Sequence, residues 1–292
     1  MNQFTIRDIE NLCGIKAHTL RVWEQRYNLF VARRKESQHR VYDNDDLKEL
    51  LRISYLYHNG HKISRIAALS REQIHELVQQ SCGTGNAHAL FIHQLTEAGM
   101  DFDKEKFEKI VNTATLRLGL EKSITEVFFP FLERIGLLWM TNNVIPAQEH
   151  FVSHIIRKKI ILAIDGIEVT DHSSNILLFA PEGELHEIPL LAINYLLRKS
   201  NLHTTYLGVN VSRECIDDYI EVHQASHLYT HILTHMDNCG LEKFVCALCR
   251  DYPGHQVVVS GPAVKCMCKQ PPNLEIIASV DALKEFAKGI SR

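Results

Sequence analysis

The chain has 292 residues, 45% of them hydrophobic and 23% charged, with a formal net charge of −3. That length calls for two or three domains, because a single hydrophobic core stops growing near ~250–300 residues. The balance excludes a disordered chain or a collagen-like repeat. Apolar runs such as residues 176–180 are far shorter than the ~20 residues that cross a bilayer. No apolar segment follows a basic start at residues 1–7, so the sequence predicts a soluble, cytoplasmic protein.

Charge is unevenly spread. Residues 1–75 hold 13 Lys and Arg against 9 Asp and Glu, so the first quarter is basic and the remainder acidic. A small basic domain on a larger acidic one suits a nucleic-acid reader joined to a different module. The 8 cysteines (Cys13, Cys82, Cys215, Cys239, Cys246, Cys249, Cys266 and Cys268) read as buried thiols rather than a disulfide framework.

In chain order, Thr5 caps a helix with apolar positions Ile6, Ile9, Leu12 and Cys13, and Gly14 stops it. A second helix spans residues 16–26, giving two helices joined by a glycine-containing turn. The basic stretch 31–42 follows as a hairpin-like wing. Asp45 is expected to cap a third helix, and Ser64 to start a fourth. A polar, two-glycine stretch at residues 79–86 reads as a linker, and a second boundary falls at residues 165–174. The three expected domains are therefore residues 1–79, 86–168 and 174–292.

The middle segment shows helical stripes only, among them Phe107, Ile110, Val111, Ala114 and Leu118, and predicts a four-helix bundle. The last segment alternates short apolar runs (176–180, 204–207, 229–233, 257–260 and 274–277) with helices beginning near Glu187, Ser212, Asn238 and Asp281. Such alternation predicts a flavodoxin-like, doubly wound parallel sheet, whose ligands bind outside the carboxyl ends of the strands. The fold class is thus multidomain, α and α/β.

The run His18-Thr19-Leu20-Arg21-Val22-Trp23-Glu24-Gln25-Arg26-Tyr27, followed by Gln38-His39-Arg40-Val41-Tyr42, resembles the winged helix-turn-helix of MerR-type transcription regulators. The resemblance covers nearly all of residues 3–75 and implies a second helix in the major groove and a wing on the backbone. It implies DNA contacts from Thr19, Arg21, Arg26, Arg33, Arg34, His39, Arg40 and Tyr42, while Trp23 reads as a core aromatic. Phosphate contacts need such cations. Regulators of this kind dimerise through a long helix directly after the DNA-binding domain. Here a linker follows Gln80, so self-association to a dimer or tetramer falls to the later segments.

Further on, Glu184-Leu185-His186 and Tyr206-Leu207-Gly208 resemble the Asp/Glu-x-His-x-x-Gly pattern of Rossmann-like cobalamin-binding domains. Trp139 followed by nine residues and then Glu149-His150 is similar to the second signature of cobalamin-dependent photoreceptor regulators of the CarH and LitR type. The three segments cover the chain in that family's order. The resemblance implies adenosylcobalamin as cofactor and His186 as lower axial cobalt ligand, oriented by Glu184. It implies Trp139, Glu149 and His150 around the adenosyl side, and Thr234, Ser260 and Gly261 in the remaining cofactor contacts.

Departures stand beside it. Pro189 replaces the motif's glycine, Ser260 replaces the first glycine of a Gly-Gly turn, and Met140 follows the Trp where light-responding members often carry a His. Two readings therefore remain: a repressor sensing adenosylcobalamin and light, or a regulator whose degenerate cobalamin domain is a cofactor-free interaction module. A cobalamin enzyme such as a methyl carrier ranks below both, since no substrate-bearing barrel, phosphate loop, Gly-x-Ser-x-Gly elbow or nucleophile–base pair is present in the sequence. Cys246-x-x-Cys249 with Cys266-x-Cys268, and His150 with His154, have metal-like spacing but not the surroundings of a zinc site.

Overall fold

The computed structural model describes residues 4–29, 33–34, 40–80, 87–140, 145–233, 238–262, 264 and 271–290. The chain divides into two compact units, residues 1–156 and 157–292.

The first unit opens with β1 (Phe4–Thr5) and α1 (Ile6–Cys13). Thr5 caps α1 reciprocally: its hydroxyl accepts from the Asp8 amide at 3.3 Å, and the Asp8 carboxylate accepts from the Thr5 amide at 2.7 Å. Gly14 ends the helix at φ 67, a conformation that costs glycine little. The turn into α2 (Ala17–Tyr27) is fixed by Glu10, whose carboxylate takes the Ala17 amide and the Lys16 ammonium, both at 3.1 Å.

Two short strands, β2 (Arg33–Arg34) and β3 (Arg40–Tyr42), pair antiparallel, and β1 adds to the other side of β3. This is the expected wing. Next, α3 (Asn44–His58) is capped two residues earlier than its sequence suggests. Asp43, not Asp45, is the N-cap, because its carboxylate accepts from two first-turn amides and Asp46 returns the bond. The head finishes with α4 (Ile63–Ile66) and α5 (Arg71–Gln80) around a core of Phe4, Ile9, Leu20, Trp23, Leu47, Leu50 and Ile53.

The helical part comprises α6 (Ala87–Met100), α7 (Lys104–Leu118), α8 (Leu120–Ser123), a π turn at Ile124–Phe128, α9 (Phe129–Met140) and α10 (Pro146–Asp165). Its core holds Leu95, Phe107, Val111, Val127, Phe128, Phe131 and Val152, with Phe107 and Val111 from the stripe read in the sequence. At Gly99 a Cβ would sit 2.7 Å from the Val152 side chain, so the glycine allows α6 and α10 to approach.

In the second unit β4 (Asn175–Pro181), α11 (Glu187–Lys199), β5 (His203–Val211), α12 (Arg213–Val222), β6 (His227–His231), α13 (Asn238–Asp251), β7 (Gln256–Ser260), β8 (Leu274–Ile277) and α14 (Val280–Ile290) alternate. All ladders are parallel and the strand order is β5-β4-β6-β7-β8, the flavodoxin-like order. Leu177, Phe179, Leu228, Val257 and Val259 line one face of the sheet's core. The topology reverses at β4, so the loops after β4, β5 and β6 meet at one carboxyl edge.

Candidate functional site

On the reading head, α2 turns Leu20 and Trp23 inward and leaves Arg21, Gln25 and Arg26 exposed, with Thr19 half-buried beside them. Trp23 is a core residue, packed edge-on against Tyr57 at 4.9 Å. Arg40 on β3 joins the wing to α2 through a 2.8 Å ion pair from its Nε to Glu24, which leaves its terminal guanidinium nitrogens for other partners. The strand Arg33–Arg34 pairs with Val41 and Arg40, whereas His39 lies outside the described residues.

Tyr42 corrects the sequence reading. It is 1% exposed and belongs to the head's core, so it offers no group to a phosphate. Strand alternation explains the error: Tyr42 pairs with Phe4, and both point into the core. Burial, with Glu24 nearby, pushes its phenol up to about 12.

At the carboxyl edge of the sheet, Glu184 is 1% exposed and holds groups from two loops. Its Oε1 meets His186 Nδ1 at 2.5 Å and the His186 amide at 3.1 Å, and its Oε2 accepts from the Leu233 amide at 2.9 Å. One carboxylate thus ties the loop after β4 to the loop after β6. A carboxylate offers only acceptors, so Nδ1 carries the proton and the lone pair of the neutral ring is on Nε2. The His186 side chain is about half exposed (49%) and the residue stands at the N-cap position of α11 without a side-chain capping bond, while Asn210 braces the loop by accepting from the Gly183 amide at 2.8 Å.

Pro189 falls in the first turn of α11, where no intrahelical partner for its amide is required. Two residues before it in the same turn, Glu187 takes Arg157 at 2.8 Å and the Tyr206 hydroxyl at 3.3 Å. Gly261 has φ 129, and a Cβ there would lie 1.9 Å from the Ile232 carbonyl oxygen, so its identity is set by close packing on the segment after β6.

The sequence reading missed His231. It expected β6 to run to residue 233 and used Thr234 for the cofactor contact, but β6 ends at His231, and Thr234 lies outside the described residues. His231 Nδ1 lies 2.8 Å from the Ser260 hydroxyl, linking the ends of β6 and β7. Burial pushes this imidazole down to about 4, despite the opposing pull of Glu184. A histidine closing a strand that itself ends at the ligand edge was the available signal.

Glu149 and His150 lie at the start of α10 as a 3.3 Å pair, with the His150 side chain 80% exposed. Beside them Gln148 is buried and donates to the Met100 carbonyl at 2.8 Å. Trp139 lies in α9. Among the described residues no three His, Cys, Asp or Glu side chains form a metal cluster, and Cys246 and Cys249 lie one turn apart on α13 as free thiols.

Comparison with known proteins decides what these surfaces belong to. The model of the MerR HTH family regulatory protein matches residues 4–73, and that of the B12 binding domain matches residues 91–163. The chain is 27% identical over 217 residues to the HTH-type transcriptional repressor CarH of Myxococcus xanthus, covering 72% of each protein. It is 25% identical over 208 residues to the repressor CarA of the same organism, covering 70% of this chain and 68% of the other. The chain therefore carries a MerR-type helix-turn-helix at residues 4–73 and a B12-binding domain at residues 91–163, the make-up of a DNA-binding regulator.

The regulator's fold is also similar to that of the Methanosarcina barkeri monomethylamine corrinoid protein, with a TM-score of 0.53 at 13% identity, covering 67% of this chain and 96% of that one. No described helix is long and apolar enough to cross a membrane. The donor chemistry at the sheet edge fits a corrin. His186 would hold such a group through one imidazole nitrogen, its tautomer fixed by a buried carboxylate.

Proposed function

We propose that this regulator is a repressor that holds adenosylcobalamin through His186 and uses it to set its oligomeric state, and with it DNA binding. The observation that carries the reading is the pairing of the buried Glu184 with His186 at the carboxyl edge of the sheet. A carboxylate on the far ring nitrogen fixes the ligating nitrogen's lone pair and raises its basicity. Arg21, Arg26 and Arg40 supply the DNA contacts, with Thr19, Arg33, Arg34 and His39 beside them. The working modules are residues 1–79, 86–168 and 174–292, with Trp139, Glu149 and His150 on the adenosyl side and Ser260 and Gly261, with Thr234, on the other.

Bound cobalamin would supply a cobalt–carbon bond that light can break. The chain's own part is to ligate, orient and shield it. A dimer or tetramer suits paired half-sites, whose spacing mirrors protein symmetry. Moving such an assembly from mostly apart to mostly together requires on the order of 5 kcal/mol of differential affinity, which burial of a group as large as a corrin can provide. Because Met140 follows Trp139, illumination should give incomplete or reversible disassembly.

The test is reconstitution with adenosylcobalamin in the dark, followed by absorbance spectra and size-exclusion with light scattering before and after green light. The parent should retain a red chromophore with histidine-ligated cobalt, and His186→Ala should lose that spectrum. A colourless parent would sink the cofactor reading and favour the cofactor-free interaction module. An oligomer indifferent to cobalamin and light would sink the sensing mechanism.

A further inference from the structure

Although a short polar segment joins them, the head and the bundle also meet in a dense ionic contact within the first unit. Glu97 on α6 is 3% exposed. Arg52 on α3 reaches its Oε1 at 2.8 Å, His93 on α6 lies 3.3 Å from the same oxygen, and Lys106 on α7 lies 3.6 Å from Oε2. One turn before Arg52, Lys48 reaches Asp101 at 2.6 Å. Tyr55, one turn after it, lies parallel to His93 with ring centroids 6.5 Å apart. Burial would raise the Glu97 carboxyl, but the contact with His93 and the charges of Arg52 and Lys106 hold it down to about 2.

Two features distinguish this cluster from ordinary surface pairs. First, the pairing is divided: Arg52, Lys48 and Tyr55 come from the DNA-reading head, and Glu97, His93, Lys106 and Asp101 from the bundle. Second, Glu97 has partners on both sides. If the head leaves, His93 and Lys106 remain with Glu97 while Arg52 and Lys48 return to water, so separation strands no buried charge. Only six residues connect Gln80 to Ala87. A tether that short keeps the effective concentration of head for bundle in the mM range, so a modest contact stays closed and a modest change in the bundle can open it.

We infer that α3 and α6 form a separable latch, built on Arg52–Glu97 and Lys48–Asp101, through which the state of the cobalamin-binding bundle reaches the DNA-reading helix. The latch orients α2 by fixing α3, which shares the head's core. Coupling of this kind is reciprocal: cobalamin changes operator affinity by the factor by which operator changes cobalamin affinity. The coupling rests on the cofactor reading above, whereas the docking itself does not.

The experiment uses the full-length protein and three variants, Arg52→Gln, Lys48→Gln and Arg52→Lys. In the absence of cofactor, hydrogen exchange of α3 and α6 peptides reports docking. Arg52→Gln should speed exchange on the facing surfaces at least tenfold, Lys48→Gln less, and Arg52→Lys should restore most of the protection. With adenosylcobalamin present in the dark, operator binding by the parent should tighten at least tenfold. That factor should fall to within twofold of unity in Arg52→Gln, which should still bind cobalamin when DNA is absent. Should Arg52→Gln unfold, Lys48→Gln, at the rim of the contact, carries the same comparison at smaller amplitude. Unchanged exchange in both Gln variants would overturn the latch, and accelerated exchange with intact coupling would overturn its role in transmission. A parent that binds no cobalamin would bring down the cofactor reading and the coupling with it, with the exchange measurement still deciding docking.

Discussion

Replacing Glu184 with Gln changes one atom's chemistry in a side chain that is 1% exposed. The carboxylate accepts from His186 Nδ1 and its amide on one oxygen and from the Leu233 amide on the other. Whichever way the Gln amide is turned, its NH2 faces an N–H donor, so one contact is lost and a buried donor is left without an acceptor. Losing a charge-assisted bond of this kind costs about 1.5–3 kcal/mol. Because every 1.4 kcal/mol is a factor of ten, and removal of the partner behind a metal-bound histidine typically lowers affinity 10–100-fold, we expect cobalamin to bind about 10–100-fold more weakly to Glu184→Gln.

Titration of the apoprotein with cobalamin, followed by absorbance, measures this directly. In a His186→Ala background the same substitution should have little further effect, since Glu184 acts through the imidazole. Parent-like affinity and spectrum in Glu184→Gln, with a normally folded protein, would refute the argument that the buried carboxylate sets the ligating nitrogen.

Other expectations follow from the same geometry. Arg21→Ala should weaken specific operator binding by about 1–3 kcal/mol, while Arg40→Ala should weaken binding to all sequences and reduce the salt slope by about one; parallel titrations at several salt concentrations separate the two. Gly261→Ala places a Cβ against the Ile232 carbonyl at φ 129 and should destabilise the sheet unit by roughly 2–5 kcal/mol, read as thermal unfolding. Acid should unfold the head–bundle unit early. The Glu97 carboxyl is held at about 2, below its unfolded value, so its contribution is present above about 4.5 and lost as pH falls toward 2. Burial lowers His93 in the same direction, so protonation below about 6.5 also costs stability; Glu97→Gln should flatten the melting-temperature profile below pH ~4.5.

Much of the architecture was legible because periodicity is local. Thr5 and Gly14 bracket α1, the stripe through Phe107 and Val111 faces the bundle core, and five short apolar runs become five parallel strands. The Glu184–His186 contact was legible too, because the two are neighbours in one loop. Position within an element was harder. Asp43 outcompetes Asp45 as a cap through a reciprocal bond with Asp46 that several acidic neighbours leave ambiguous. The inward face of a three-residue strand decides the burial of Tyr42, and β6 ends at His231, two residues earlier than the apolar run suggests. Long-range pairing was not legible at all. Nothing near Arg52 marks Glu97 as its partner, and nothing near Leu233 marks its amide as the donor to Glu184.

The central claim is that this regulator's hold on DNA depends on cobalamin held by His186. Operator binding by the full-length protein, titrated in the dark with and without adenosylcobalamin, tests it most directly, with His186→Ala alongside. Cobalamin should tighten operator binding by at least tenfold in the parent and leave His186→Ala unchanged. Equal operator affinity of the parent with and without cobalamin would contradict the account.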